Sequence, residues 1–180
     1  MPEDDQQDAA HRASAKAQDE SEAHGDRAAV IVRLARRQDV SAVVRLLADD
    51  VLGRHRERVE EPVAPVYLRA FDAMAAQPGN ELLVATLGDE LVGCLQLTMV
   101  AGLSRAGMRR AHLEGVRVCG RHRGQGIGER LVSAAIARAR TAGCGLVQLT
   151  SDTTRTDALR FYERLGFKAT HVGMKLSLAD

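Results

Sequence analysis

The chain of 180 residues has no tryptophan, and only 3% of it is aromatic. It therefore lacks the aromatic platforms on which unpaired bases stack. It also lacks an excess of either charge. Twenty-five Lys and Arg stand against 24 Asp and Glu, a formal net of +1, so the basic stripe of a nucleic-acid binder is absent. No apolar run approaches the roughly 18 residues of a membrane span. Cysteine is scarce: Cys94, Cys119 and Cys144 have no close pairing, and an odd number reads as reduced thiols. No spacing among Cys, His, Asp and Glu matches a metal site, so none is expected. His112 and His122 fall on different predicted elements.

Large apolar side chains are nearly missing from residues 1–27, which are polar, Ala-rich and mixed in charge. Such a stretch cannot bury enough surface to offset the entropy of ordering, so a disordered tail is expected there, with the folded domain at 28–180. It has no apolar centre and is not a secretory signal, which makes a cytoplasmic location the expectation.

What is present is a regular alternation of elements. Val30, Ile31, Val32 and Leu34 read as a strand. Asp39 is placed to cap a helix carrying Val40, Val43, Val44 and Leu47 at helical spacing. A charged loop with Pro62 and Pro65 follows, then a second helix stopped by Pro78 and Gly79. Two apolar runs flank Gly88-Asp89, a hairpin signature. Another strand leads to a long helix, Gly126 to Ala142, with Ile127, Leu131, Val132, Ala135, Ile136 and Ala139 on one side. A strand from Gly145, a short helix ending at Gly166 and a last strand, "KATHVGMKLSL", complete the chain. The order predicts a single α/β domain, a mixed and mostly antiparallel sheet with helices on both faces.

The stretch "VRVCGRHRGQGIGERL" joins a strand to a helix through three alternating glycines, Gly124, Gly126 and Gly128. Free backbone N–H groups and the helix dipole make such a junction an anion site. Arg121 and Arg123 are expected to strengthen it. A nucleotide-hydrolase loop is excluded because no Lys-Ser/Thr follows. A dinucleotide fingerprint is excluded because the spacing is Gly-x-Gly-x-Gly after a strand of an antiparallel meander. The pyrophosphate of coenzyme A remains, beside the simpler reading of a tight turn without a ligand.

"RGQGIG", preceded by "VRV", resembles the acyl-CoA-binding motif of the GCN5-related N-acetyltransferase (GNAT) superfamily, and "ALRFYERLGF" is similar to its second signature. The element order agrees, and the resemblance covers about 29–178. Within the superfamily "TRTDALRFY" is similar to small-amine acetyltransferases of the aminoalkylphosphonate N-acetyltransferase type. The resemblance implies that acetyl-CoA is the acyl donor, with its pyrophosphate on the amides of Arg123, Gly124, Gln125, Gly126, Ile127 and Gly128. It implies that pantetheine lies along the backbone of Val116, Arg117 and Val118. It implies direct transfer of the acetyl group, in a ternary complex, to a primary amine of a small molecule. The alternatives are a protein or peptide amine, or a CoA-binding regulatory module without catalysis. Family members are often dimers, so a homodimer is also an expectation.

Tyr162 is implied as the general acid toward the leaving thiolate; a packing tyrosine on an amphipathic helix is the simpler alternative. Glu114 is the candidate base, on a strand whose alternation would set His112, Glu114, Val116 and Val118 on one face. Partial desolvation would give it the raised pKa a base needs. The alternative is a salt bridge to an arginine, with His112 as a second candidate base. Where family members often carry an Asn that touches the cofactor, this chain has Arg155, which would meet a phosphate or an anionic substrate group. Ser151 and Asp152 belong to the same region. Cys119 beside the loop reads better as an inert thiol than as a covalent acyl carrier. Arg105, Arg109 and Arg110 make an anionic acceptor conceivable, bound near the first two helices.

Overall fold

The computed structural model describes residues 29–50 and 55–178; the expected tail lies outside them. In chain order the elements are β1 (Val30–Leu34), α1 (Val40–Ala48), α2 (Pro65–Ala76), β2 (Asn80–Leu87), β3 (Glu90–Val100), β4 (Arg109–Val118), α3 (Ile127–Thr141), β5 (Cys144–Leu149) and α4 (Thr156–Arg164). The strands form one sheet in the order β1-β2-β3-β4-β5. Every pairing is antiparallel except β4 with β5, which is parallel and is crossed over by α3. This is the mixed α/β sheet expected from the sequence.

The two faces are closed by different helices. On one, α3 sets Ile127, Leu131, Val132, Ala135 and Ala139 against Leu83, Ala85, Leu95, Leu97, Ala111 and Leu113, all buried. Each such aliphatic side chain contributes about 1.5–3 kcal/mol when fully buried. Gly93 lets α3 approach: a Cβ there would lie 2.9 Å from Leu131 Cδ1 and 3.1 Å from the Arg117 carbonyl oxygen. On the other face, Val43 and Leu46 of α1 cover Val84 and Cys94. Burial pushes the Cys94 thiol up to about 12, so it behaves as a small apolar group.

Three expectations are corrected. Asp39 does not cap α1 with its side chain; it closes the short 3-10 turn before it. Its carboxylate accepts from both Arg33 Nη atoms, at 2.7 and 2.9 Å, and from the Arg36 amide at 2.6 Å, and these nearby donors outbid the helix. Pro65 is not loop but the first residue of α2, where its missing N–H removes no helical bond. The last strand does not form. Residues 168–178 have no regular structure, and Val172, Met174, Leu176 and Leu178 are 85–93% exposed. Gly173 passes Thr150 just after β5 ends, and Lys175 lies near Asp152. The segment thus runs on beyond β5 instead of turning back along it. Among the described residues nothing pairs with the outer edge of β5.

Candidate functional site

The site begins where two strands part. β4 pairs with β5 only as far as Leu113 opposite Leu149, but with β3 as far as Val118. Beyond Leu113 the side of β4 that faces β5 therefore has backbone groups without a strand partner, although the carbonyls of Val116 and Val118 accept from the Arg117 and Arg123 side chains. An extended amide-bearing ligand would be received there as an added strand. Gly115, at φ 58°, sits in a bulge where the β3–β4 register shifts. Its left-handed backbone is one that side chains avoid.

That bulge corrects the expected alternation. His112 and Glu114 share one face, with His112 Nε2 3.7 Å from Glu114 Oε1. Val116 and Val118 turn to the opposite face and pack against the α3 core, while Arg117 takes the place expected for them. One extra residue in a strand inverts all that follow. The desolvation expected for Glu114 is missing as well: its side chain is 57% exposed, and its neighbour at 3.7 Å is the His112 ring and not an arginine.

After β4 the chain makes a 3-10 turn at Gly120–His122 and then passes through Gly124 and Gly126, both at φ 77°, into α3. From Gly124 to Gly128 no backbone amide finds a partner among the described residues. These donors converge at the positive end of a 15-residue helix. A diphosphate fits such a cradle. The two arginines before it are engaged otherwise. Arg121 pairs with Glu90, which raises the arginine's pKa and sets a carboxylate beside its charge. Arg123 donates to the carbonyls of Val118 and Asp49, at 3.3 and 3.4 Å, and so ties the loop to the end of α1. Cys119 is half-buried, packed against the α1 cluster.

Tyr162 lies on α4, half-buried among aromatic neighbours. Its ring meets Phe161 and Phe167 edge-on, with centroids 5.0 and 5.7 Å apart. Burial raises the phenol's pKa, opposed by the nearby Arg117 and Arg155. It is therefore a neutral proton donor with two guanidinium groups beside it. Gly128 joins this helix to the loop. A Cβ there would sit 3.3 Å from Phe161 Cζ and 3.6 Å from Val118 Cγ2. The third glycine of the motif thus serves close packing of α4 as well as the cradle.

Asp50, just past the end of α1, is the residue that sequence reasoning missed. Its carboxylate pairs with Arg155 and lies 3.5 Å from Arg117 Nη2. It gathers the two cations that flank Tyr162. Arg155 is thus turned toward α1 before any ligand arrives. The available signal was electrostatic: Asp49 and Asp50 stand where the negative end of a helix disfavours acids. Their partners, the Gly120 amide for Asp49 and Arg117 and Arg155 for Asp50, lie far along the chain.

Beyond Glu114, the same face of the sheet is polar. Asn80, Thr98, His112 and Gln148 share one register across β2, β3, β4 and β5. Asn80 Oδ1 accepts from Gln96 Nε2 at 3.0 Å and from Thr98 Oγ1 at 3.3 Å. A cavity of about 310 Å³ between α2 and the starts of β2 adjoins this row and is lined by Phe71, Met74, Asn80 and Leu82.

Comparison with known proteins agrees with this geometry. A family model described as "Acetyltransferase (GNAT) family" matches residues 44–167. The chain is 35% identical over 101 residues to an aminoalkylphosphonate N-acetyltransferase of Salmonella typhimurium, a match over 56% of this chain and 65% of that protein. It is 35% identical over 88 residues to a glucosamine 6-phosphate N-acetyltransferase of Trypanosoma brucei brucei, over 49% and 58%. The matches thus span about three-fifths of the length of these curated relatives. A crystal structure described as a transcriptional regulator from Bacillus halodurans C-125 superposes with a TM-score of 0.81, at 51% identity, covering 83% of this chain and all of that one. With its sheet, its splayed strands and its glycine cradle accounted for together, the chain belongs to the acetyltransferase (GNAT) family.

Proposed function

We propose that this protein is an enzyme that transfers an acetyl group from acetyl-CoA to a primary amine of a small molecule, by direct transfer in a ternary complex. The observation that carries the reading is the pairing of an unpartnered amide cradle at Gly124–Gly128 with the open β4 edge beyond Leu113. One suits a pyrophosphate and the other an extended amide chain, and coenzyme A contains both in sequence. Both curated relatives are named for small amines, which supports a small acceptor.

Acetyl-CoA supplies a thioester carbonyl open to attack. The chain's own groups do the rest. The backbone of Val116, Arg117 and Val118 holds the pantetheine, and the amides from Arg123 to Gly128 hold the pyrophosphate. Glu114, with His112 beside it, takes the proton from the incoming ammonium, directly or through water; its exposure leaves room for that water. Tyr162 donates its proton to the departing thiolate, and the positive charge of Arg117 and Arg155 steadies the anion as it forms.

A second reading, a CoA-binding regulator without catalysis, is favoured by one observation, the name of the 51% identical structure. Free-thiol release from acetyl-CoA during a screen of primary amines separates the two. Tyr162→Phe is expected to lower kcat by about 100-fold with acetyl-CoA binding unchanged. Amine-independent behaviour in both proteins would favour the regulator.

A homodimer belongs to the same proposal, and its support comes from the C-terminal segment. The alternating apolar side chains of 172–178 and the bare edge of β5 support a homodimer in which each segment covers the partner copy.

A further inference from the structure

Asp50 ties three elements together at one point. It stands just past the end of α1, and its side chain is only 11% exposed. One oxygen, Oδ2, pairs with Nη2 of Arg155, the residue before α4, and lies 3.5 Å from Nη2 of Arg117, near the end of β4. Two guanidinium groups gathered at one place repel each other. A shared, shielded carboxylate offsets that repulsion for as long as it stays between them.

The carboxylate is held from behind. Its neighbour Asp49 accepts from the Gly120 amide at 3.2 Å through its side chain, and from Arg123 Nη2 at 3.4 Å through its carbonyl. The end of α1 is thus fixed to the glycine loop. Other groups do not fix the two arginine heads. Asp152 also acts on Arg155, but its carboxylate is engaged by Thr154, 3.0 Å from the amide and 2.6 Å from the hydroxyl. Arg117 Nη1 donates to the Val116 carbonyl at 2.9 Å, and its shielded Nε has no hydrogen-bond partner among the described residues. Long basic side chains without such a hold turn their heads to water.

The charges that act on the Tyr162 phenol are these same two, Arg117 from β4 and Arg155 from the head of α4. The rings of Phe161 and Phe167 flank it. We propose that Asp50 is a positioning residue for acetyl transfer: by holding Arg117 and Arg155 together it keeps both cations beside Tyr162, where the leaving thiolate forms. This rests on the acyltransferase reading above and adds to it a residue that acts on the reaction only through others.

The test exploits a chain with two tyrosines and no tryptophan. Tyr67→Phe leaves Tyr162 as the single phenol, and its ionisation is read by phenolate absorbance directly after a jump in pH, with folding followed by circular dichroism. Adding Asp50→Asn should move the midpoint upward, because the cations that favour the phenolate are no longer held beside it. Asp50→Ser should do the same, and Asp50→Glu, which keeps the carboxylate, should stay near the wild type. In acetyl transfer, Asp50→Asn should lower kcat by about 10-fold with KM for acetyl-CoA nearly unchanged, and should add no further loss to Tyr162→Phe. A midpoint that stays or falls shows the arginines in place without Asp50 and overturns the proposal, as does an equal loss of kcat with and without the Tyr162 hydroxyl. A wild type that releases no thiol with any amine overturns the acyltransferase reading instead, and the phenol midpoint decides the placement of the cations separately.

Discussion

At the scale of single residues, charges are placed by partners far away in sequence. Asp39 shows the consequence for stability. Its carboxylate is held below the ordinary range chiefly by the Arg33 hydrogen bonds. A group whose folded pKa is depressed stabilises the protein above its unfolded value, near 3.8, and loses that contribution as pH falls toward the folded one. Removing one partner of a well-shielded pair costs about 3 kcal/mol. Asp39→Asn is therefore expected to lower the urea midpoint at pH 7 and to flatten its fall between pH 5 and 3 (about 2 pH units around the carboxylate range); an unchanged acid limb would contradict this role. The sequence placed Asp39 correctly at the head of α1 but gave it the wrong partner. A cap is a local inference, whereas Arg33 reaches it from β1 across a turn. Asp50 was invisible for the same reason in a stronger form, since one of its partners, Arg155, lies 105 residues away.

At the scale of elements, patterns of period 2 and 3.6 located nearly every strand and helix. They failed where one residue broke the period. The bulge at Gly115 reverses the faces of Val116 and Val118, and nothing in "HLEGVRV" marks Gly115 as a bulge instead of an ordinary strand glycine. The C-terminal run fails differently: its alternation is that of a strand, but pairing needs a partner edge, and alternation alone cannot say which edge or whose. The glycine motif was legible as an anion cradle, yet the role of Gly128 against Phe161 depends on α4, which arrives much later in the chain. Gly128→Ala should force the Phe161 ring back by a few tenths of an ångström and cost about 1 kcal/mol. Because Phe161 and Tyr162 are neighbours on α4, kcat should fall as well. A urea titration together with single-turnover kinetics checks both, and a stability loss without any change in kcat would mean that Tyr162 does not depend on this packing.

At the scale of the whole molecule, α1 and α3 grip the sheet from opposite faces, and the parting of β4 from β5 leaves one opening between them. The ends of α1, α3 and α4 all converge there, joined by Asp49, Asp50, Arg123 and Arg155. The apolar side chains of the C-terminal segment stand exposed beside this body. Sedimentation of the wild type should report a dimer, and Leu176→Asp with Leu178→Asp should shift it toward monomer; a monomeric wild type would contradict the covering role given to that segment. The central claim, that coenzyme A occupies the cradle and the open β4 edge, is tested most directly by calorimetric titration of acetyl-CoA into the wild type and into Gly126→Trp, with folding of both followed by circular dichroism. The account predicts saturable one-to-one binding by the wild type and its loss when the indole fills the cradle. A folded wild type that binds no acetyl-CoA, or a folded variant that binds it equally well, would contradict it.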